Sequence, residues 1–527
     1  MADHPARTSI FAPYQRLFHV AIEINRAGRD HQKSVATPVK RNNLCLPPGL
    51  VDFGTQFPIS ATLPRTGSSR MVSFPTVYQR VIAHKRVITF SLIFAFCVYP
   101  LIDLGKFGPT RVAFRVILVV FIASQFFWIR RALDLGERFI PGKPRRAWLM
   151  AIACFVVLFF FVYSYTHMGG VVHLFLASKI IGAADPRLRS VLMEGALSWW
   201  LAGSVLGFGL VIVFWSLDRA ASTAAWVYRK ARAPAAGKVD TPQSGTVVPD
   251  PTSPARRRFL RQTAFALSAT PFVASAYGIL YGRLDLQVTR QHIRLARLPK
   301  SFDGYRIAQL SDLHISPFMP ADEIRRCVNI TNQLKPDLVV MTGDYLLWDP
   351  AAQGDVVQAL AGLRAPCGVF GSLGNHESIT DTEESITRLF AAQGIHILRQ
   401  ERAAIRLGGD SINLIGVDDS IPDDKAVEGL VTPGTVNIVL NHNPNDFDQA
   451  VGLGFDLMLA GHTHGGQLSL EFLHRGLSLA RLETPYVSGW YEKSRGQLYV
   501  NRGIGTTILP IRLGARPEIT ILELSRT

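Results

Sequence analysis

Four apolar stretches crowd into one short region of this chain: Val87–Leu104, Val112–Trp128, Trp148–Tyr165 and Ala196–Leu217. Each approaches the roughly 20 residues that an α-helix needs to cross a bilayer. One such stretch could be a buried core helix, but four in succession, one reading FVVLFFF over Phe155–Phe161, point to a helical membrane region. A fifth stretch, Val171–Ile181, is interrupted by Lys179 and too short to span, so an interfacial or re-entrant position on the outer side is expected. The charge is divided at the same place. Residues 1–283 carry 34 Lys and Arg against 12 Asp and Glu, whereas residues 284–527 carry 22 against 28. The overall +16 therefore belongs to the membrane half, and nucleic-acid binding, which needs a folded basic patch, is not expected. The five cysteines form no CxxC pair and no even framework, which argues against a zinc ribbon or a disulfide scaffold.

Basic residues are richest between the second and third spans (Arg130, Arg131, Arg138, Lys143, Arg145, Arg146) and after the fourth (Arg219, Arg229, Lys230, Arg232, Lys238). The positive-inside tendency places those loops in the cytoplasm. Residues 1–75 are polar and without period and form a disordered tail; if Met71 is the true start, residues 1–70 are not translated. Residues 76–220 form the four-helix membrane region, and 221–256 have a linker composition. Arg256-Arg257-Arg258-Phe259-Leu260-Arg261 then precedes an apolar run, Thr263–Tyr281, broken by Pro271. Residues 257–283 resemble a twin-arginine export signal, with Ala274-Ser275-Ala276 as a cleavage sequence; a fifth transmembrane helix is the alternative. Both readings put residues 284–527 outside the cytoplasm, in a multi-pass protein of a bacterial inner membrane.

From Gly304 onward short apolar strands alternate with amphipathic helical stretches, and polar clusters follow the strands. Asp312 and His314 come after Arg306–Leu310, and Asp344 after Asp337–Met341. Asn375, His376 and Glu377 follow Gly368–Leu373, His442 follows Val436–Leu440, and His462 and His464 follow Asp456–Ala460. In open α/β sheets ligands gather outside the carboxyl ends of strands, so these clusters should converge. A lone Asp after a strand is usually a turn former, and only the company of the others lifts these two. Carboxylate, amide and imidazole without thiolate suit Mn, Fe or Zn, and seven candidates exceed the needs of one ion. Two divalent ions sharing a carboxylate would use them all. Glu377 reads as a supporting or capping residue, His396 and His474 as structural, and Cys327 and Cys367 as packing residues.

The ordered blocks DLH, GD, GNHE, a later histidine and GHTHGGQ resemble the calcineurin-like metallophosphoesterases over about residues 300–525, in particular a membrane-associated bacterial branch. The resemblance implies an α/β fold, a four-layer sandwich of two mixed β-sheets flanked by helices, here preceded by an all-α transmembrane region, with Gly496–Leu524 completing the second sheet. It implies that Asp312, His314 and His464 bind one metal, that Asp344 bridges, and that Asn375, His442 and His462 bind the second. It further implies that a hydroxide bridging the two ions attacks phosphorus while His376, not a ligand, protonates the leaving oxygen. The expected activity is a membrane-anchored, metal-dependent phosphoric ester hydrolase acting on a phosphodiester or pyrophosphate, with a membrane lipid as one candidate substrate. The alternative is a membrane receptor or sensor that uses the domain as a metal or phosphate binding module. Loss of a ligand would favour that alternative, and no ligand position is missing.

Overall fold

Runs such as Leu338–Thr342, apolar at nearly every position, suit strands covered on both faces, and the amphipathic stretches between them supply the covering helices. The computed structural model describes residues 119–132, 150–152, 154–158, 186–232, 254–421, 427–470, 477–493 and 496–527. The tail, the span Val87–Leu104, the segment Val171–Ile181 and most of the linker lie outside the described residues.

Two six-stranded sheets form the C-terminal half. The first runs β1 (Gln287–Leu295), β12 (Glu518–Arg526), β2 (Arg306–Leu310), β3 (Leu338–Thr342), β4 (Val369–Ser372), β5 (Ile395–Ile397). Strands β2 to β5 are mutually parallel, and β12 is parallel to β1 but antiparallel to β2. The second runs β10 (Gly489–Lys493), β11 (Gly496–Val500), β9 (Leu457–Ala460), β8 (Asn437–Leu440), β7 (Asp410–Gly416), β6 (Glu401–Leu407), parallel from β11 to β7 with an antiparallel strand at each edge. Between the sheets pack Ile307, Leu338 and Val340 from one side and Ile438, Leu440, Leu457 and Leu459 from the other. Helices α4 (Ala321–Gln333), α5 (Gln353–Leu360) and α7 (Glu383–Ala391) cover the outer face of the first sheet through Ile324, Val356 and Phe390. Helix α8 (Phe447–Leu453) covers the second through Phe447 and Ala450. This is the four-layer sandwich that the sequence implied.

One strand is placed differently from expectation. Within Gly496–Leu524 only β11 joins the second sheet, while β12 lies inside the first. Its alternation explains the position: Ile519 and Ile521 face the helices while Leu522 and Leu524 face the inter-sheet core, a pattern that needs two apolar faces. The place beside β11 is already taken by β10.

In the helical half, α1 (Pro186–Arg232) is longer than expected, running through residues 221–232 of the expected linker. Its stretch Glu194–Tyr228 and the run Arg258–Leu284 are each long and apolar enough to cross a membrane. That second run is carried by α2 (Pro254–Ser268) and α3 (Thr270–Leu280), and Ala274-Ser275-Ala276 lies in the middle of α3 with Ser275 buried. Residues 119–132 are helical and bond to α1: Gln125 Nε2 donates to Ser204 Oγ (3.1 Å), and Trp200 Nε1 donates to Gln125 Oε1 (2.9 Å). Buried polar groups on apolar helices satisfy one another by such mutual pairing. Trp199 Nε1 ties α1 to α3 at the Phe272 carbonyl, 2.8 Å away. Helix α3 then docks on the sandwich, with Ile279 packed against Ile511 and the Arg512 N–H directed at the Gly278 carbonyl, 3.4 Å away.

Because Leu459 is fully buried between the sheets, Leu459→Ala should cost about 2–5 kcal/mol. The expected outcome is a lower midpoint of thermal unfolding in detergent, with the helical half still folded by circular dichroism.

Candidate metal centre

Five loops leave the carboxyl ends of β2, β3, β4, β8 and β9 and meet in one place. The first two carry Asp312, His314 and Asp344, all essentially without solvent exposure. The short helix α6 (Asn375–Ile379) carries Asn375 and His376, and the loops after β8 and β9 carry His442, His462 and His464. All seven expected ligands and His376 come together.

They form two adjoining groups. In the first, His314 Nε2 faces His464 Nε2 at 3.0 Å, Asp312 Oδ1 lies 3.4 Å from His464 Nε2, and Asp344 Oδ2 lies 3.4 Å from His314 Nε2. In the second, His462 Nδ1 lies 3.0 Å from Asn375 Oδ1 and 3.1 Å from His442 Nε2, which in turn is 3.2 Å from Asp344 Oδ2. Asp344 belongs to both. A further set of His314, Asp344 and His376 also brings three ligand-type atoms close together, with His376 Nε2 at 4.0 Å from Asp344 Oδ2.

Burial favours the neutral form of two of the imidazoles. Burial, reinforced by His376, pushes His314 down to about 3, so its imidazole is neutral. Burial, then His314 and Arg512, holds His464 well below its ordinary value. Burial also works against a charge on His442, but the Asp344 carboxylate outweighs it and raises His442 well above the usual range. Asp312 Oδ2 is buried with no hydrogen-bond partner. An orphaned buried carboxylate oxygen is costly unless a cation completes it. The donor set thus fits divalent metal ions of hard-to-borderline character.

The fixed ends of the rings face outward from the centre. His314 Nδ1 pairs with the Leu346 carbonyl at 2.9 Å and His442 Nδ1 with the Thr342 carbonyl at 2.7 Å, so each Nδ1 carries the proton and Nε2 is left for a ligand. His376 Nδ1 pairs in the same way with the Leu347 carbonyl. Glu377 accepts from the N–H groups of Asp344, Tyr345, Leu346 and Gly374 at 2.8–3.1 Å, pinning the loop that carries Asp344. Burial, with Asp344 alongside, pushes Glu377 up to about 8, and the Gly374 and Leu346 N–H groups work the other way.

Backbone strain concentrates here. Asp312, His314, Asp344, His462 and His464 all have φ between 47° and 71°, half of the ten non-glycine residues in that region among the described residues. Such conformations persist where the surroundings over-determine them, which is typical of sites. Gly461 is required by close approach, since a Cβ there would strike the side chains of Ser311 and Asp312.

Arg512 was not legible as a site residue. It is buried and donates to five carbonyls, those of Arg502 (2.9 Å), Gly505 (3.0 Å), Ala515 (3.1 Å), Gly503 (3.2 Å) and His464 (3.3 Å). Its Nη2 also lies 3.2 Å from His464 Nδ1. A basic residue inside the apolar run Leu509–Leu513 was the available signal. Trp348, whose ring lies 4.6 Å from that of His376, likewise escaped sequence reasoning.

Comparison with known proteins agrees with this geometry. The model of the calcineurin-like phosphoesterase family matches residues 305–466. The uncharacterized metallophosphoesterase YkuE of Bacillus subtilis is 31% identical over 282 residues, 52% of this chain and 98% of that protein. The chain belongs to the calcineurin-like phosphoesterase family. It is accordingly a metallophosphoesterase, a metal-dependent phosphoric ester hydrolase. The phosphodiesterase YaeI of Escherichia coli is 31% identical over 277 residues, covering 51% of this metallophosphoesterase and 98% of YaeI. A Danio rerio relative named transmembrane protein with metallophosphoesterase domain is 28% identical over 443 residues, 80% of this chain and 91% of the relative. That last match is far longer than the phosphoesterase half and extends into the helical half.

Arg512→Met should remove the guanidinium donor from five carbonyls, of which those of Gly503 and His464 keep the N–H groups of Glu518 and Gln467, at about 1–3 kcal/mol for each carbonyl left unpaired where water cannot reach. The expected result is a large fall in the thermal midpoint together with reduced bound metal, read by calorimetry and elemental analysis.

Proposed function

We propose that this metallophosphoesterase is a membrane-anchored, dinuclear phosphodiesterase acting outside the cytoplasm on a phosphodiester or pyrophosphate carried by a lipid. The observation that carries the dinuclear reading is Asp344, whose Oδ2 lies 3.4 Å from His314 Nε2 of one group and 3.2 Å from His442 Nε2 of the other. Asp312, His314 and His464 would hold one cation with Asp344, and Asn375, His442 and His462 the other. When bound, the cations would polarise a phosphoryl oxygen and make water a nucleophile near neutral pH. The chain's own residues do the rest. The carbonyl partners of His314 and His442 fix both rings, so no ligand has to reorganise during a turnover. His376 keeps one proton on Nδ1 through Leu347 and turns Nε2 inward, where it can deliver a proton to the leaving oxygen. Trp348 flanks that ring and limits its rotation. A diester's alkoxide leaving group needs this proton more than an activated one does.

The anchoring reading is supported by the two apolar helices and by the transmembrane relative. The N-terminal part of α1 and the C-terminal end of α3 both meet the sandwich, as expected if one helix enters the membrane from the catalytic side and the other returns to it. The basic loops then lie in the cytoplasm, and residues 257–283 remain as a spanning helix. Its packing against Ile511 and Arg512 is hard to reconcile with a leader that is cut away. Tethering raises the effective concentration of a substrate in the same membrane and offers nothing to a diffusible one.

Asp344→Asn should lose both metal and activity. His376→Ala should keep the metal and lose a factor of about 10²–10⁴ in kcat. Metal analysis of the two purified variants is the check, and equal metal loss would remove the division of roles. A reporter that works only outside the cytoplasm should be active when fused after Thr527 and silent at Gly237. Finally, kcat/KM for a micellar lipid phosphodiester with Mn²⁺ should exceed that for p-nitrophenyl phosphate. The opposite order would leave the metal centre intact as an idea and discard the lipid.

A further inference from the structure

Two loops connect the metal centre to the apolar helices. The first continues from His464 through Gln467 and Leu468 to Ser469 and Leu470, and resumes at Leu477 toward Glu483. The second runs from Gly505 to Leu513. They are stitched together: the Gln467 side chain donates to the Thr507 carbonyl (2.7 Å) and accepts from the Thr507 N–H (3.0 Å), while Ser469 N–H donates to the Leu513 carbonyl (2.8 Å). Leu470 N–H closes the first loop on the Leu477 carbonyl at 2.8 Å. One side of this pair packs on the helices, where Leu468, Leu509, Ile511 and Leu513 contact Trp199, Ala202 and Ile279. Another side reaches the ligands, where the Glu483 carboxylate lies 3.9 Å from His462 Nε2.

Among the described residues the pair also carries four exposed large aliphatic side chains. Ile508 is 76% exposed, Leu482 73%, Leu470 49% and Leu477 48%. Single exposed leucines are ordinary, but four large aliphatics on two bonded loops form the kind of patch that marks a docking surface. Ile508 has φ +60°, an unfavourable backbone for a β-branched residue, and nothing in the interior requires its side chain.

The level of this patch relative to a bilayer follows from its neighbours. Trp199 and Ala202, on which the loops rest, already belong to the apolar span Glu194–Tyr228. Tyr277 and Tyr281, stacked 6.0 Å apart and more than half exposed, end α3 beside the same loops. Tyrosines collect at the headgroup level of membranes. We propose that Leu470, Leu477, Leu482 and Ile508 insert into the outer surface of the lipid bilayer, so that the metal centre opens beside the headgroups and takes its phosphoester from the membrane plane. This rests on the membrane-anchored reading above and adds the orientation of the site.

The test uses the full chain reconstituted in vesicles of phosphatidylethanolamine and phosphatidylglycerol. Leu482→Cys, Ile508→Cys, Trp215→Cys in the apolar span and Glu401→Cys on the distant edge strand each receive a thiol-reactive fluorophore, with the signal of the unsubstituted chain subtracted. Vesicles containing brominated lipid should quench the labels at 215, 482 and 508 and leave 401 bright. Quenching at 215 without quenching at 482 and 508 overturns the inserted rim but preserves the anchor. No quenching at 215 removes the anchor and the rim together. Kinetics supply a second readout that does not depend on labelling. Ile508→Glu should raise KM for a vesicle-borne phosphodiester lipid about tenfold, equivalent to about 1.4 kcal/mol, while kcat/KM for soluble bis(p-nitrophenyl) phosphate stays unchanged. Equal loss on both substrates would assign Ile508 a structural role and overturn the proposal.

Discussion

A carboxylate sealed from water must find its compensation inside the protein, and Asp344 is surrounded by it. His442 stands 3.2 Å from Oδ2 and His314 3.4 Å, while Oδ1 accepts the His376 backbone N–H at 3.0 Å. Those partners arrive from three loops and both sheets. Burial would raise the Asp344 carboxyl, yet His442 and His376 outweigh it and hold it well below the ordinary range. The same charge keeps His442 cationic when no metal competes, and Glu377 secures the loop from behind. Removing Asp344 would therefore leave several buried groups without a counterpart, and the two sheets would lose one of the polar links between them.

The sandwich brings these groups together because its central strands are parallel. Parallel strands end on the same edge, so β2, β3 and β4 of one sheet and β8 and β9 of the other deliver their loops to one rim. Strand β12 extends the arrangement. By lying between β1 and β2 it brings Glu518 to the N–H of Arg502, which precedes Gly503 against Asp312. Arg512, on the intervening loop, fills the space behind His464 and touches α3 through its backbone. The helical half and the metal centre thus share a wall one residue thick. A change in α3 near Gly278 or Gly282 is felt directly at the Arg512 carbonyl.

Much of this was readable without coordinates. The strand-then-ligand rhythm located β2, β3, β4, β8 and β9 closely, and amphipathic stretches between strands are the helices α4, α5 and α7, because each combines a strong period with polar ends. The strand β1 was missed: QVTRQHIRL alternates weakly and is largely exposed at a sheet edge, so its partner β12 rather than its own hydrophobicity defines it. The hairpin β6–β7 was passed over despite its Gly408-Gly409 turn, and β12 was assigned to the wrong sheet because alternation reveals two faces but not which neighbours cover them.

The sequence by itself determined the kinds of ligand, their order, the apolar length of the helical half and the α/β alternation, since each of these is a property of neighbouring residues and of spacing. Only the tertiary structure decided that Arg512 stands behind His464 and that α3 rests on the loop leading into that arginine. Those facts depend on residues distant in the chain meeting in space, Arg512 Nη2 and His464 Nδ1 at 3.2 Å and the Arg512 N–H and the Gly278 carbonyl at 3.4 Å. Local pattern carries no information on such meetings, because the packing of two sheets fixes them all at once.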